Sequence, residues 1–309
     1  MKKFGLSVAI TAAMLLPLLC GAPAQAQATR TWISGVGDDV NPCSRTAPCK
    51  TFPGAISKTA AGGEINCLDP GGFGGVTITK SITLDCSGTF GSILVNGTPG
   101  ITINSDSAAS VRIRGISING AGTTLGTNGI RIIGSGASIA TSQVLIENVV
   151  IDQFSARGIS DERNGGKLFV TNTTVRNATQ SCIVILPGVA AALNAVFNNV
   201  RTFACGNGGL AVNNNAQAVV TNSVFSDSSV GVDIESGAIV DISSSVISGN
   251  TTGFFLTSTL RLANSDVAFN ATLVGGGGAI SSYTNNRFSN NGAGTITAIG
   301  STSNPTGQQ

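Results

Sequence analysis

The stretch Val219-Val220-Thr221-Asn222-Ser223-Val224-Phe225-Ser226-Asp227-Ser228-Ser229-Val230-Gly231-Val232-Asp233-Ile234 decides the fold. Its two short strand-like runs, Val219 to Phe225 and Val232 to Ile234, are separated by a stretch of Ser, Asp and Gly, the pattern of strands joined by turns. At its centre a polar residue, two variable positions and an apolar residue run from Asn222 to Phe225. That spacing recurs as Asn148 with Ile151, Asn172 with Val175, Phe197 with Val200, Ser244 with Ile247, Asn264 with Val267 and Asn285 with Phe288. Successive apolar anchors are 24, 25, 25, 22, 20 and 21 residues apart, and only Phe197 breaks the polar rule.

Units this short hold several strands but no crossover helix, so each strand pairs in parallel with its copy one unit later. The expected fold is all-β: a single-stranded, right-handed parallel β-helix, the hand following the crossover preference of parallel strands. Looser strand-like runs, such as Val76 to Thr83, Val111 to Ile118 and Ile130 to Ile133, extend it toward the N-terminus. At roughly 22 residues per turn from Glu64 onward, about ten coils are expected. Ile151, Val175, Val200, Phe225, Ile247, Val267 and Phe288 would stack as one interior column, with Phe154, Phe203 and Phe254 also inside. Asn148, Asn172, Asn222 and Asn264 would form a structural turn column whose amides bond to backbone and to one another.

The expected organisation is a signal peptide over 1–28, an opening segment and capping helix over 29–63, the β-helix over 64–291 and a polar tail over 292–309. Lys2 and Lys3 before the apolar run Leu6 to Leu19, with Ala24, Ala26 and Ala28 at A-x-A spacing, point to export and cleavage after Ala26 or Ala28. Phe52, Ala55, Ile56 and Thr59 fall on one helical face within Thr51 to Ala60, with Gly62 and Gly63 as its stop, so this helix would cover the first coil.

The chain has 309 residues, of which 10% are charged against about 25% in ordinary soluble proteins. It contains no His, which removes imidazole bases, the usual serine or cysteine triads and His-ligated metals. Without Lys2 and Lys3, the 17 basic residues fall to 15, equal to the 15 acidic ones, so no field steers the protein to nucleic acid. No cofactor and no metal site is indicated, and no membrane span beyond the leader. Once Cys20 leaves with the leader, Cys43, Cys49, Cys67, Cys86, Cys182 and Cys205 remain, an even set suited to disulfides in a secreted or periplasmic protein. Sequence alone permits 15 pairings of six cysteines. Local order favours Cys43 with Cys49, Cys67 with Cys86 and Cys182 with Cys205, the last two separated by about one repeat.

The opening Gly37-Asp38-Asp39-Val40-Asn41-Pro42, followed by Ala47-Pro48-Cys49-Lys50-Thr51-Phe52 and Ala55, resembles the G-x-D-x-N-P and P-x-x-T lead-in of secreted bacterial right-handed β-helix proteins of the pectin-lyase-like class. The resemblance implies the same fold, but the class spans polysaccharide lyases, polygalacturonases, esterases and adhesins. Polygalacturonase-like members carry N-T-D, D-D, G-H-G and R-I-K motifs. Here the only D-D is Asp38 with Asp39 in the opening segment, and there is no clustered carboxylate set of the kind with which lyases of the class hold calcium.

Chemistry could sit where outward side chains follow the anchors, in the series Asp152, Arg176, Arg201, Ser226, Ser248, beside a loop containing Arg157, Asp161, Glu162, Arg163 and Lys167. Arg176 and Arg201 on neighbouring coils would share an anionic ligand such as a uronate carboxylate, with Asp152 beside them. The competing reading is a solvated ion pair of Asp152 with Arg176, worth about 0–1 kcal/mol. With no recognisable catalytic set, the expected function is that of an exported surface or carbohydrate-binding module of unassigned role, with polysaccharide or a cell-surface glycan as partner; the alternative is a polysaccharide lyase acting on acidic polysaccharide.

Overall fold

A computed structural model describes residues 27–106, 110–134, 141–188, 193–235 and 237–296. The strands form three parallel sheets of eleven, ten and nine strands, and the chain visits them in turn. Within a sheet, neighbours are equivalents one coil apart: Val219 lies beside Val196 on one side and Asp241 on the other. The ninefold passage through the third sheet defines nine coils, after which Ala279–Ser282 and Arg287–Ser289 begin another. The count falls below ten because the early coils are long: Ile78, Ile103 and Ile132 are partners at separations of 25 and 29 residues.

Side chains alternate across each strand, so every coil sends one set inward. Val144, Leu168, Ala195, Ala218, Val240 and Leu260 are partners on successive strands of the first sheet, and all are buried. In the second sheet the inward column is Ile118, Ile151, Val175, Thr202, Phe225, Ile247, Val267 and Phe288. This corrects the sequence reading at one coil. Thr202, not Val200, follows Val175, and the true polar partner is Asn199 rather than Phe197. Asn199-Val200-Arg201-Thr202 hides the repeat because Thr occupies the apolar place. Phe154, Phe225 and Phe254 are buried, whereas Phe203 faces outward and Phe288, on the last described coil, is 37% exposed.

Two turn columns bracket the second sheet. Asn148, Asn172, Asn199, Asn222, Ser244 and Asn264 precede its strands, all with φ between 46° and 56°. Asn tolerates this left-handed conformation better than other side-chain-bearing residues. Their amides also link coils, as Asn199 Nδ2 donates to Asn172 Oδ1 at 2.8 Å and Asn264 Nδ2 to Ser244 Oγ at 3.1 Å.

The residue after each turn points inward, and where it is Ser or Asn its side-chain oxygen takes up a backbone N–H that the strand ladder leaves free. The amides of Val200, Ser223, Ser245 and Ser265 donate to Ser223, Ser245, Ser265 and Asn286 one coil on, at 2.9–3.2 Å. A second ladder leaves the same sheet at its far edge, where the amides of Ser228, Asn250 and Asn270 donate to Asn250, Asn270 and Asn291 at 3.0–3.1 Å.

The first strand, Ala28–Ile33, pairs with Thr59–Cys67, and between them runs helix α1, Phe52–Lys58. The helix is shorter than the hydrophobic spacing suggests, and Gly62 and Gly63 lie inside the following strand rather than stopping the helix. Asp39 organises the cap: its carboxylate accepts from the amides of Lys50 and Thr51 and from the Thr51 hydroxyl at 2.7–2.9 Å. Burial alone would raise its pKa, but the Thr51 and Lys50 hydrogen bonds hold it below the usual value. Thr51 in turn caps α1 by accepting from Gly54 N at 3.0 Å. A Cβ on Gly54 would lie 2.1 Å from Asp39 Oδ1, so only glycine fits there.

Disulfides join Cys43 to Cys49 in the opening loop, Cys67 to Cys86 and Cys182 to Cys205 between consecutive coils. Three disulfides are characteristic of an extracellular or periplasmic protein. The expected signal peptide lies outside the described residues but for its last two positions, and the expected tail is described only to residue 296. Among the described residues no helix is long and apolar enough to cross a membrane.

Candidate functional site

The outer face of the second sheet carries two columns. One runs Asn119, Asp152, Arg176, Phe203, Ser226, Ser248, and the other Ser117, Val150, Thr174, Arg201, Val224, Val246. Asp152, Arg176 and Arg201 therefore do occupy three consecutive strands, but Arg201 is level with Thr174, two residues upstream of the place the sequence spacing suggests. The residue beside Arg176 on the next strand is Phe203.

This shift changes the chemistry of the cluster. Arg176 Nη2 lies 3.0 Å from Asp152 Oδ2, and the other Asp152 oxygen accepts from Asn177 Nδ2 at 2.7 Å. On its far side the Arg176 guanidinium stacks against the Phe203 ring, 5.8 Å from the ring centroid. The guanidinium is thereby held from both sides, while its Nε is shielded and has no hydrogen-bond partner among the described residues. Arg201 is exposed on the same face and forms no ion pair among the described residues. Two cations thus stand on one flat face beside a half-buried aromatic ring. With both oxygens of Asp152 engaged, the cluster suits holding an anion better than abstracting a proton.

The remaining charges of the sequence-defined group go elsewhere. Arg157–Asp161 is a strand of the third sheet, not a loop beside the site. Asp161 and Arg163 are completely buried as a bidentate pair at 2.6 and 2.9 Å, with Arg163 also donating to Ser142 and to the Lys167 carbonyl. Glu162 binds Arg131 at 2.8 Å on the outside of that sheet. Among the described residues no three Cys, Asp or Glu side chains converge as a metal site.

The model of the "right handed beta helix region" matches residues 99–272, more than half of the chain. The chain belongs to the right-handed β-helix family. No curated protein sequence matches this β-helix protein. Among solved structures it resembles pectate lyase Pel9A with a TM-score of 0.68 at 16% identity, covering 86% of this chain and 77% of that one. It also resembles an alginate lyase from Paenibacillus sp. str. FPU-7, TM-score 0.62 at 14% identity, covering 86% and 99% of the two chains. At such identities the likeness defines the β-helix fold alone.

Proposed function

We propose that this β-helix protein is an exported, non-catalytic module that binds acidic polysaccharide on the outer face of its second sheet. The observation that carries this reading is the half-exposed Arg176 guanidinium, fixed between Asp152 and Phe203, next to exposed Arg201. Two guanidinium groups on neighbouring strands suit a uronate carboxylate, and the half-buried Phe203 ring gives the sugar an apolar neighbour. The polysaccharide lyases among its structural neighbours support the same ligand class.

Titration of the protein with uronate oligosaccharides tests the assignment. Replacing both Arg176 and Arg201 by Ala is expected to weaken binding about tenfold or more, the worth of one or two charge-assisted hydrogen bonds. Undiminished binding by the folded double variant rejects the site. Incubation with uronate polysaccharides, with and without calcium, is expected to yield no ultraviolet absorbance from unsaturated products; such absorbance would establish a lyase instead.

A further inference from the structure

The outer face of the first sheet differs from that of the second. In strict register, one outward column reads Arg112, Leu145, Phe169, Val196, Val219, Asp241. Four consecutive apolar side chains are thus bounded by a cation at one end and an anion at the other. Val196 and Val219 are 37% and 45% exposed. The flanking outward columns hold Gln143, Lys167, Asn194 and Gln217 on one side and Glu147, Thr171, Asn198 and Thr221 on the other. An uncharged, flat strip with opposite charges at its two ends is complementary to itself in reverse.

The geometry points to this face as the surface on which two copies of the chain pair about a two-fold axis. Placing the axis along the strand direction, between the Phe169 and Val196 strands, reverses the order of coils and leaves position along the strand unchanged. Phe169 then meets Val196 of the second copy, Leu145 meets Val219, and Arg112 meets Asp241 at both ends. In the flanking columns Gln143 meets Gln217, Lys167 meets Asn194 and Glu147 meets Thr221, so no like charges oppose. Slipping the copies by one coil sets Arg112 against Arg261 or against Val219, because Arg261 is the neighbour of Asp241. One register is therefore selected by charge.

The pairs made within each chain leave this possible. Arg112 lies 3.6 Å from Glu147 and Asp241 3.0 Å from Arg261, all partly exposed, and a carboxylate can accept from two cations. Six strands at about 4.8 Å spacing and five residues at about 3.3 Å give a footprint of roughly 450 Å² per copy. That is at the small end for specific association, so the dimer is expected to populate between about 10 μM and 1 mM.

Sedimentation of the disulfide-bonded protein across that range, alone and with uronate oligosaccharide, tests this. The expected result is a mass rising toward the dimer without added glycan, and loss of that rise in Val196→Lys. Arg112→Asp and Asp241→Arg should each self-associate about tenfold more weakly, since like charges then meet at both ends. An equimolar mixture of these two variants should recover the original association, because each unlike charge finds its complement across the axis. A wild type that stays monomeric overturns the proposal, as does a dimer that Val196→Lys leaves intact. Mass that rises only with glycan present assigns the strip to the sugar instead. A mixture no better than its components refutes the register.

Discussion

Arg163 shows how much a single position in a solenoid corner can decide. Its side chain is wholly buried with Asp161, and its N–H groups go to that carboxylate, to Ser142 and to the Lys167 carbonyl. Arg163→Met leaves an uncompensated carboxylate inside, and a loss of about 3–5 kcal/mol in urea unfolding is expected. Asp233 on the third sheet is the opposite case, since its shielded Oδ1 has no partner among the described residues. Burial, with Glu235 repulsion adding to it, pushes its pKa from 3.8 up to about 6. A folded pKa above the unfolded one means that folding favours the protonated acid. The stability so gained is present below pH 3.8 and is lost as pH rises through about 6. Asp233→Asn should therefore raise the melting temperature above pH 6 and bring no such gain below 3.8, which a calorimetric pH series checks. Neither role was legible in the residues alone. Asp161, Glu162 and Arg163 look like one exposed charged loop until the strand alternation divides them between the inside and the outside of the coil.

A strand here is defined by what lies above and below it, and the coil carrying Thr202 illustrates the consequence. Val175 and Phe225 flank Thr202 in the interior column, so its hydroxyl is buried among apolar neighbours and is unpaired among the described residues. Thr202→Val should stabilise the protein by about 1 kcal/mol in denaturant titration, since an apolar group of similar volume removes the cost of an orphaned hydroxyl. The same Thr masked the repeat, which moved the expected register by two residues and placed Arg201 where Phe203 stands. The exposed Asn turns were readable because their spacing is regular. The interior ladder through Asn250, Asn270 and Asn291 was not, because polar residues at those positions look like ordinary loop composition until the coil closes around them.

At the scale of the molecule, each coil touches only its neighbours, so stability is a sum of local terms and adjacent interfaces. The Cys182–Cys205 disulfide spans a separation of 23 residues between two such coils. Replacing both cysteines by Ala should cost about 3 kcal/mol by the chain-entropy estimate for a loop of this size. In a linear array the loss should appear as faster hydrogen exchange in the coils on either side of that bond, with the distant N-terminal cap unchanged. The cap itself rests on Asp39, whose bonds to Thr51 and Lys50 are a tertiary reason for the opening motif.

The period of some two dozen residues and the alternation within each strand are properties of the chain order, and they determined the solenoid and its parallel pairing. Register within the irregular coil, the separation of Arg163 from Arg176 and the reversed charges at the ends of the first-sheet strip were decided only by closure of the coils. The reason is physical: spacing along a chain counts residues, whereas stacking counts coils, and a coil with a longer turn displaces the side chains that counting assigns to it.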